Sequence, residues 1–249
     1  VDNFLTQKLT EKEIKRIGLT PWTPNIIPRT LLLMGGAIAA LDHVMKCGGI
    51  AGNMAGGTHH AHYDFGSGYC IFNDLAVCSR LALSKYQLTR IAIIDFDVHQ
   101  GDGTATILQN VDEVLTISMH CQQNFPFRKS ESDFDLVLPA NAGDDEVLAV
   151  VARALDITRE FDPELILFQA GVDGLATDAL GKLNMSRLGM SKRNEMVFEL
   201  VQELSIPAVV FMGGGYSKPI SHTIDAFSDL FLSAYRANNQ ILSRINLAT

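Results

Sequence analysis

The chain has 249 residues, with 20 Lys+Arg against 28 Asp+Glu for a formal net charge of −8, and 47% of its residues are hydrophobic. A chain of this size buries roughly three quarters of the surface its unfolded form exposes, so its core requires neither disulfides nor a structural metal, and any metal it holds is expected to be functional. The acidic balance excludes a nucleic-acid binder that works by neutralising phosphates, while remaining compatible with a basic substrate.

In chain order, the Pro-rich stretch from Pro21 to Pro28 is the one linker-like segment, with Trp22 as a packing anchor for the N-terminal loop. Helical periodicity follows over Arg29–Lys46. Its longest strongly apolar run, Leu31 to Leu41, is far short of the ~20 residues that span a bilayer, so no membrane contact is expected. A strand is read at Gly49–Asn53, a helix at Ile71–Lys85, a strand at Ile91–Asp95 and a short helix at Gly103–Asn110. A strand at Val114–Met119, a helix at Asp144–Phe161, a strand at Leu165–Gln169, a helix at Ser186–Leu204, a strand at Ala208–Met212 and a helix at Lys218–Tyr235 complete the series. Strands apolar on both faces, alternating with helices, predict an α/β fold with a central, mostly parallel sheet flanked by helices. With no repeat or charge block, 1–249 reads as a single domain. Its start on Val1 rather than Met leads us to expect a missing N-terminal segment. Cysteines at 47, 70, 78 and 121 form no CxxC pair, which predicts reduced thiols in the cytoplasm, or the nucleus of a eukaryote.

In open α/β sheets ligands bind beyond the carboxyl ends of the strands. Each predicted strand ends in reactive residues: Gly57-Thr58-His59-His60, then Asp95-Phe96-Asp97-Val98-His99, Ser118-Met119-His120, Ala170-Gly171-Val172-Asp173, and Gly213-Gly214-Gly215-Tyr216. Asp95, Asp97 and His99 at i, i+2, i+4 would share one face of an extended chain. They could form a hydrogen-bonded polar network. A bound cation accounts better for carboxylates that would otherwise repel, with Asp173 as the third ligand of a catalytic zinc site beside Asp97 and His99. His59 and His60 are proton-transfer candidates, and Asp95 and Asp102 are the carboxylates available to orient them. The Tyr216 phenol could stabilise an oxyanion. His43, His62 and His222 lack convergent partners and read as structural or exposed, and Cys70 reads as a buried, inert thiol.

Taken together, Gly57-Thr58-His59-His60-Ala61, Ser67-Gly68-Tyr69-Cys70 with Asn73-Asp74, the run from Ile94 to Gly103, Ala170-Gly171-Val172-Asp173 and Gly214-Gly215-Tyr216 resemble the zinc-dependent histone deacetylase family. The resemblance implies an arginase–deacetylase type three-layer fold and zinc on Asp97, His99 and Asp173. It also implies His59 and His60 as the catalytic pair and Tyr216 as the residue that polarises the substrate carbonyl. A structural monovalent cation, K+ or Na+, is implied at Asp95, Asp97, His99, Ser118 and Met119. A narrow tunnel is implied with Tyr69 and Phe125 in its wall, Leu180 at its mouth and the Gly68 carbonyl facing the substrate amide. Arg16-Ile17-Gly18, Gln100 and the run Leu180 to Ser186 resemble the class IV branch most.

The activity so implied is hydrolysis of N-ε-acyl-lysine amides, in a protein or peptide. An acetylpolyamine or long-chain acyl-lysine deacylase would use the same machinery, and the negative charge could steer a cationic acyl-amine. A two-metal arginase-like enzyme would want a carboxylate where Gly101 stands. A catalytically silent acyl-lysine-binding protein would not be expected to keep the full constellation.

Overall fold

A computed structural model describes the backbone of residues 1–248 and the side chains of residues 1–243. The first half of the chain runs α1 (Asp2–Leu5), α2 (Glu11–Ile17), α3 (Ile26–Cys47), β1 (Ile50–Asn53), α4 (Asp74–Tyr86), β2 (Ile91–Asp95) and α5 (Asp102–Leu108). The second half runs β3 (Val114–Cys121), β4 (Phe134–Leu138), α6 (Asp144–Phe161), β5 (Leu165–Gln169), α7 (Arg187–Leu204), β6 (Ala208–Phe211) and α8 (Ser221–Ala248). The strands form one sheet in the order β1-β6-β5-β2-β3-β4, and every neighbouring pair is parallel.

Successive strand residues point to opposite faces, so a strand buried on both sides feeds two cores. Ala92 and Ile94 of β2, Ile166 and Phe168 of β5 and Val210 of β6 join Val147 and Val151 of α6, Val197 and Val201 of α7 and Leu230 of α8. Ile91 and Ile93, Leu165 and Leu167, and Val209 and Phe211 turn the other way, onto Leu41 and Val44 of α3, Leu75 and Cys78 of α4 and Leu108 of α5. The result is the expected three layers.

Three elements escaped the sequence reading: β4, α2 and the four-residue α1. β4 is the outer strand beside β3, and its residues alternate between exposed or half-buried and buried, so it shows no two-sided apolar run. α2 is held by its ends: Thr10 Oγ1 accepts from Glu13 N at 3.3 Å, and Glu13 Oε2 accepts from Thr10 N at 2.7 Å. That capping box was the available signal. At 22 residues α3 exceeds its predicted span and is long and apolar enough, by length and composition, to cross a membrane. Here it lies against the sheet through Ala37, Ala40, Leu41 and Val44, with Leu32 turned outward. α4 starts at Asp74, three residues later than predicted, because Asn73 is its N-cap and accepts from Ala76 N at 2.9 Å.

Ile93 sits on the central strand and is 1% exposed. Ile93→Ala is expected to lower the unfolding free energy by about 3 kcal/mol through lost burial and the cavity left behind. Chemical denaturation of the two proteins checks this.

Candidate active site

From β2 the chain proceeds outward to β3 and β4, whereas β5 and β6 lie on the other side, so the gap between β2 and β5 is the switch point of the sheet. Asp95 ends β2, and the chain then turns instead of extending. Asp95 Oδ1 accepts from Asp97 N at 3.1 Å, and Asp97 Oδ1 accepts from His99 N at 3.0 Å. Asp97 and His99 therefore belong to a tight loop, which corrects the expectation of three side chains on one face of a strand. Phe96 anchors that loop in the core, edge to face with Phe168 at 5.8 Å between centroids.

Asp173 reaches the same point from beyond β5. On each carboxylate the oxygen turned away from the His99 ring accepts from a main-chain donor: Asp97 Oδ2 from Gly214 N and Asp173 Oδ1 from Val98 N, both at 2.9 Å. The other two oxygens face His99 Nδ1, Asp97 Oδ1 at 3.0 Å and Asp173 Oδ2 at 3.1 Å. These donors lie within 4.8 Å of one another. Gly171 and Gly214 allow that approach, since a methyl group on either would strike the Asp97 or Asp173 carboxylate.

Burial, with the neighbouring Asp97, pushes the Asp173 carboxyl up to about 7. Burial likewise resists charging of His99, but hydrogen bonds to Asp173 and Asp97 overcome it and push the imidazole up to about 11. Two converging carboxylate oxygens and one imidazole nitrogen, in an environment that stabilises positive charge, fit a divalent cation.

His59 and His60 are placed by the start of α4. Asp74, fully buried, accepts from Gly57 N and Thr58 N at 2.8 Å each, while Asn73 Nδ2 donates to Ala61 O at 3.1 Å. Neither residue had been assigned this role from sequence. His59 Nδ1 pairs with Asp95 Oδ2 at 2.7 Å and His60 Nδ1 with Asp102 Oδ1 at 2.6 Å, so each imidazole has the orienting carboxylate expected of Asp95 and Asp102. Their surroundings push them apart. Burial opposes protonation of His59, but Asp95 and Asp97 outweigh it and carry His59 up to about 9. Burial and the neighbouring His59 bring His60 down to about 4.

His62 departs from expectation. Its Nε2 pairs with Asp102 Oδ2 at 3.1 Å, its Nδ1 with Thr106 Oγ1 at 2.8 Å, and its ring stacks on Phe65. Spacing alone gave no sign, because Asp102 and Thr106 arrive from α5.

Tyr216 lines the same cavity, of about 950 Å³, as His59, His60, Asp97, His99 and Asp173. Tyr216 N donates to Asp178 Oδ2 at 2.6 Å. Burial and the fields of Asp97 and Asp173 push its phenol upward, so it remains a hydrogen-bond donor. Gly68, Tyr69, Phe125 and Leu180 also line the cavity. Phe125 lies edge to face with His60 at 4.9 Å and Tyr69 sits 6.1 Å from Tyr216, centroid to centroid. The Gly68 carbonyl accepts from Cys70 Sγ at 3.3 Å, and burial pushes the Cys70 thiol up, consistent with an inert sulfur. Asn124, absent from the sequence reading, donates to Leu180 O at 2.8 Å and stands 3.2 Å from His99 Nε2. Ser118 is the register partner of Asp95 and its hydroxyl lies 3.0 Å from His120 Nδ1; Met119 is buried beside it.

Residues 3–228 match the model of the histone deacetylase domain. An uncharacterized protein of Picosynechococcus sp. is 43% identical over 231 residues, covering 91% of this chain and 75% of its own length. Histone deacetylase 2 of Arabidopsis thaliana is 32% identical over 232 residues, 89% of this chain and 60% of that protein. A crystal structure of an HDAC homolog complexed with SAHA superposes with a TM-score of 0.73 at 29% identity, covering 86% of this chain and 62% of that one. The acetylpolyamine aminohydrolase of Burkholderia pseudomallei superposes at 0.69 with 22% identity, over 81% of this chain and 60% of that one, a likeness of fold alone.

A cation entering this site must displace the proton on His99, whose imidazole is pushed up to about 11. Divalent-metal affinity of the metal-free protein is therefore expected to rise with pH between pH 6 and 8, by about tenfold per unit for the His99 proton and more steeply below about pH 7, where the Asp173 proton must leave as well. Competition titrations with a chromogenic chelator measure this slope, and a flat profile contradicts it.

Proposed function

The chain belongs to the histone deacetylase family, and we propose that it hydrolyses N-ε-acyl-lysine amides with a zinc ion held by Asp97, His99 and Asp173. One observation carries the proposal: that donor set, two His–Asp pairs and a protonated phenol converge on a single cavity. When bound, the zinc supplies Lewis acidity toward the amide carbonyl and lowers the pKa of water.

The side chains divide the remaining work. His60 is the imidazole held neutral, and Asp102 on its Nδ1 leaves Nε2 free to take a proton from the attacking water. The same nitrogen then returns the proton to the departing amine, so water is split between the released acid and the amine. His59, held charged by Asp95, stabilises negative charge beside it. Tyr216 donates to the amide oxygen as charge develops there. Tyr69 and Phe125 bracket the acyl-lysine stem, and Gly68 O and Leu180 lie along its approach. A structural K+ or Na+ would be held by Asp95, Asp97, His99, Ser118 and Met119, partly through main-chain carbonyls, and the pairing of Asp95 with Ser118 in register supports that placement.

Lining charges favour acyl-lysine over a polycationic substrate. Among the described residues, Asp97 and Asp173 are the carboxylates that line the cavity, whereas Arg16, Arg29 and Lys182 all contribute to it. The excess of acidic residues thus lies outside the cavity lining. A second metal is disfavoured because Gly101 packs against the Asp95 carboxylate, leaving no room for an acidic side chain.

Tyr216→Phe and His60→Ala are each expected to cut turnover of an acetyl-lysine peptide by about 100-fold or more, with zinc remaining near one per chain. Steady-state kinetics with metal analysis tests this, and wild-type turnover in both variants overturns the role assignment.

A further inference from the structure

Arg193, in the first half of α7, is the largest of the fully buried side chains, at 1% exposure. A guanidinium is tolerated in such a place only when its donors are paired. All five N–H groups are. Nη1 donates to Phe96 O at 3.1 Å and to Gly171 O at 2.6 Å. Nη2 donates to Ala170 O at 3.1 Å and to Asn194 Oδ1 at 2.8 Å, and Nε donates to the same Asn194 oxygen at 3.1 Å. The guanidinium carbon lies 5.7 Å from the centre of the Phe168 ring.

The location of the three carbonyls matters more than their number. Phe96 immediately precedes Asp97, and Ala170 and Gly171 lead through Val172 to Asp173. One planar fork therefore ties the exit of β2 to the exit of β5, the two segments that deliver the carboxylates. Burial pulls the guanidinium down to about 10, against the fields of Asp173 and Asp97, so it stays cationic at neutral pH. An ammonium could keep that charge, but its donors radiate from one atom and cannot reproduce a planar fork spanning two strands and Asn194.

Resting on the functional reading above, we propose that Arg193 is a positioning residue that clamps the exits of β2 and β5 and sets the spacing of Asp97 and Asp173 for a divalent ion. It touches neither substrate nor metal and acts through the main chain. Its signature is metal retention at preserved fold.

The test uses the full chain stripped of metal and titrated with Co(II) and Zn(II), comparing wild type with Arg193→Lys and Asn194→Ala. Asn194→Ala keeps the guanidinium and removes the acceptor of two of its five N–H groups. Arg193→Lys is expected to raise the Zn(II) Kd about 10-fold or more, the usual scale for removing support behind metal ligands, and to change the Co(II) absorption bands. Asn194→Ala is expected to move both readouts in the same direction by a smaller factor. Circular dichroism establishes which variants are folded, and Asn194→Ala provides the comparison if Arg193→Lys does not fold. Wild-type Kd and Co(II) spectrum in any folded variant of the pair overturn the positioning role. A wild-type chain that takes up no divalent ion overturns the functional reading on which it rests.

Discussion

Asp97 and Asp173 lie buried side by side because the strands that carry them, β2 and β5, are adjacent and parallel. Parallel pairing brings both carboxyl ends to the same edge of the sheet, and the switch in strand order opens a crevice there. Two carboxylates so placed repel each other and lose hydration, a penalty of several kcal/mol per buried ion in general. The surrounding architecture offsets that penalty. Gly214 N and Val98 N each take one oxygen, and His99 faces the remaining two. A divalent cation would complete the compensation, so a site that looks costly in an isolated chain is suited to binding one.

The histidine pair follows the same logic at one remove. Asp95 serves two purposes: one oxygen caps the loop to Asp97, and the other holds His59. His60 depends on Asp102, which arrives at the start of α5 and is shared with His62. The tandem pair thus receives different partners from different elements, and its two rings acquire opposite tendencies toward protonation. Neighbouring titratable groups with displaced pKa values are the usual basis for separating acid and base roles. α4 fixes the pair in place through Asn73 and Asp74, so a helix cap reaches directly into the chemistry.

Much of this was legible in the amino-acid sequence, and the exceptions have physical causes. β2, β5 and β6 are buried throughout and apolar up to the Asp95 and Gln169 that end the first two, because both faces are covered, and such runs are easy to recognise. β4 is an outer strand with alternating exposure, and α2 is a single short helix defined by its caps, so neither carries a strong periodic signal. The structure brings the residues singled out from sequence, Asp97, His99, Asp173, His59, His60 and Tyr216, to one cavity, since each follows a strand. Their geometry was not legible: Asp97 and His99 occupy a turn closed by side-chain oxygens, which strand periodicity cannot anticipate. His62 and Asn124 gain their importance from contacts distant in sequence, as does Arg193, whose three carbonyl partners are 22 to 97 residues away.

The most direct measurement is anomalous diffraction at the zinc absorption edge from crystals of the zinc-loaded protein. One peak per chain is predicted, about 2.0–2.2 Å from His99 Nδ1 and from one carboxylate oxygen each of Asp97 and Asp173. A peak at other residues, two peaks in the crevice, or none there with zinc bound elsewhere would contradict it.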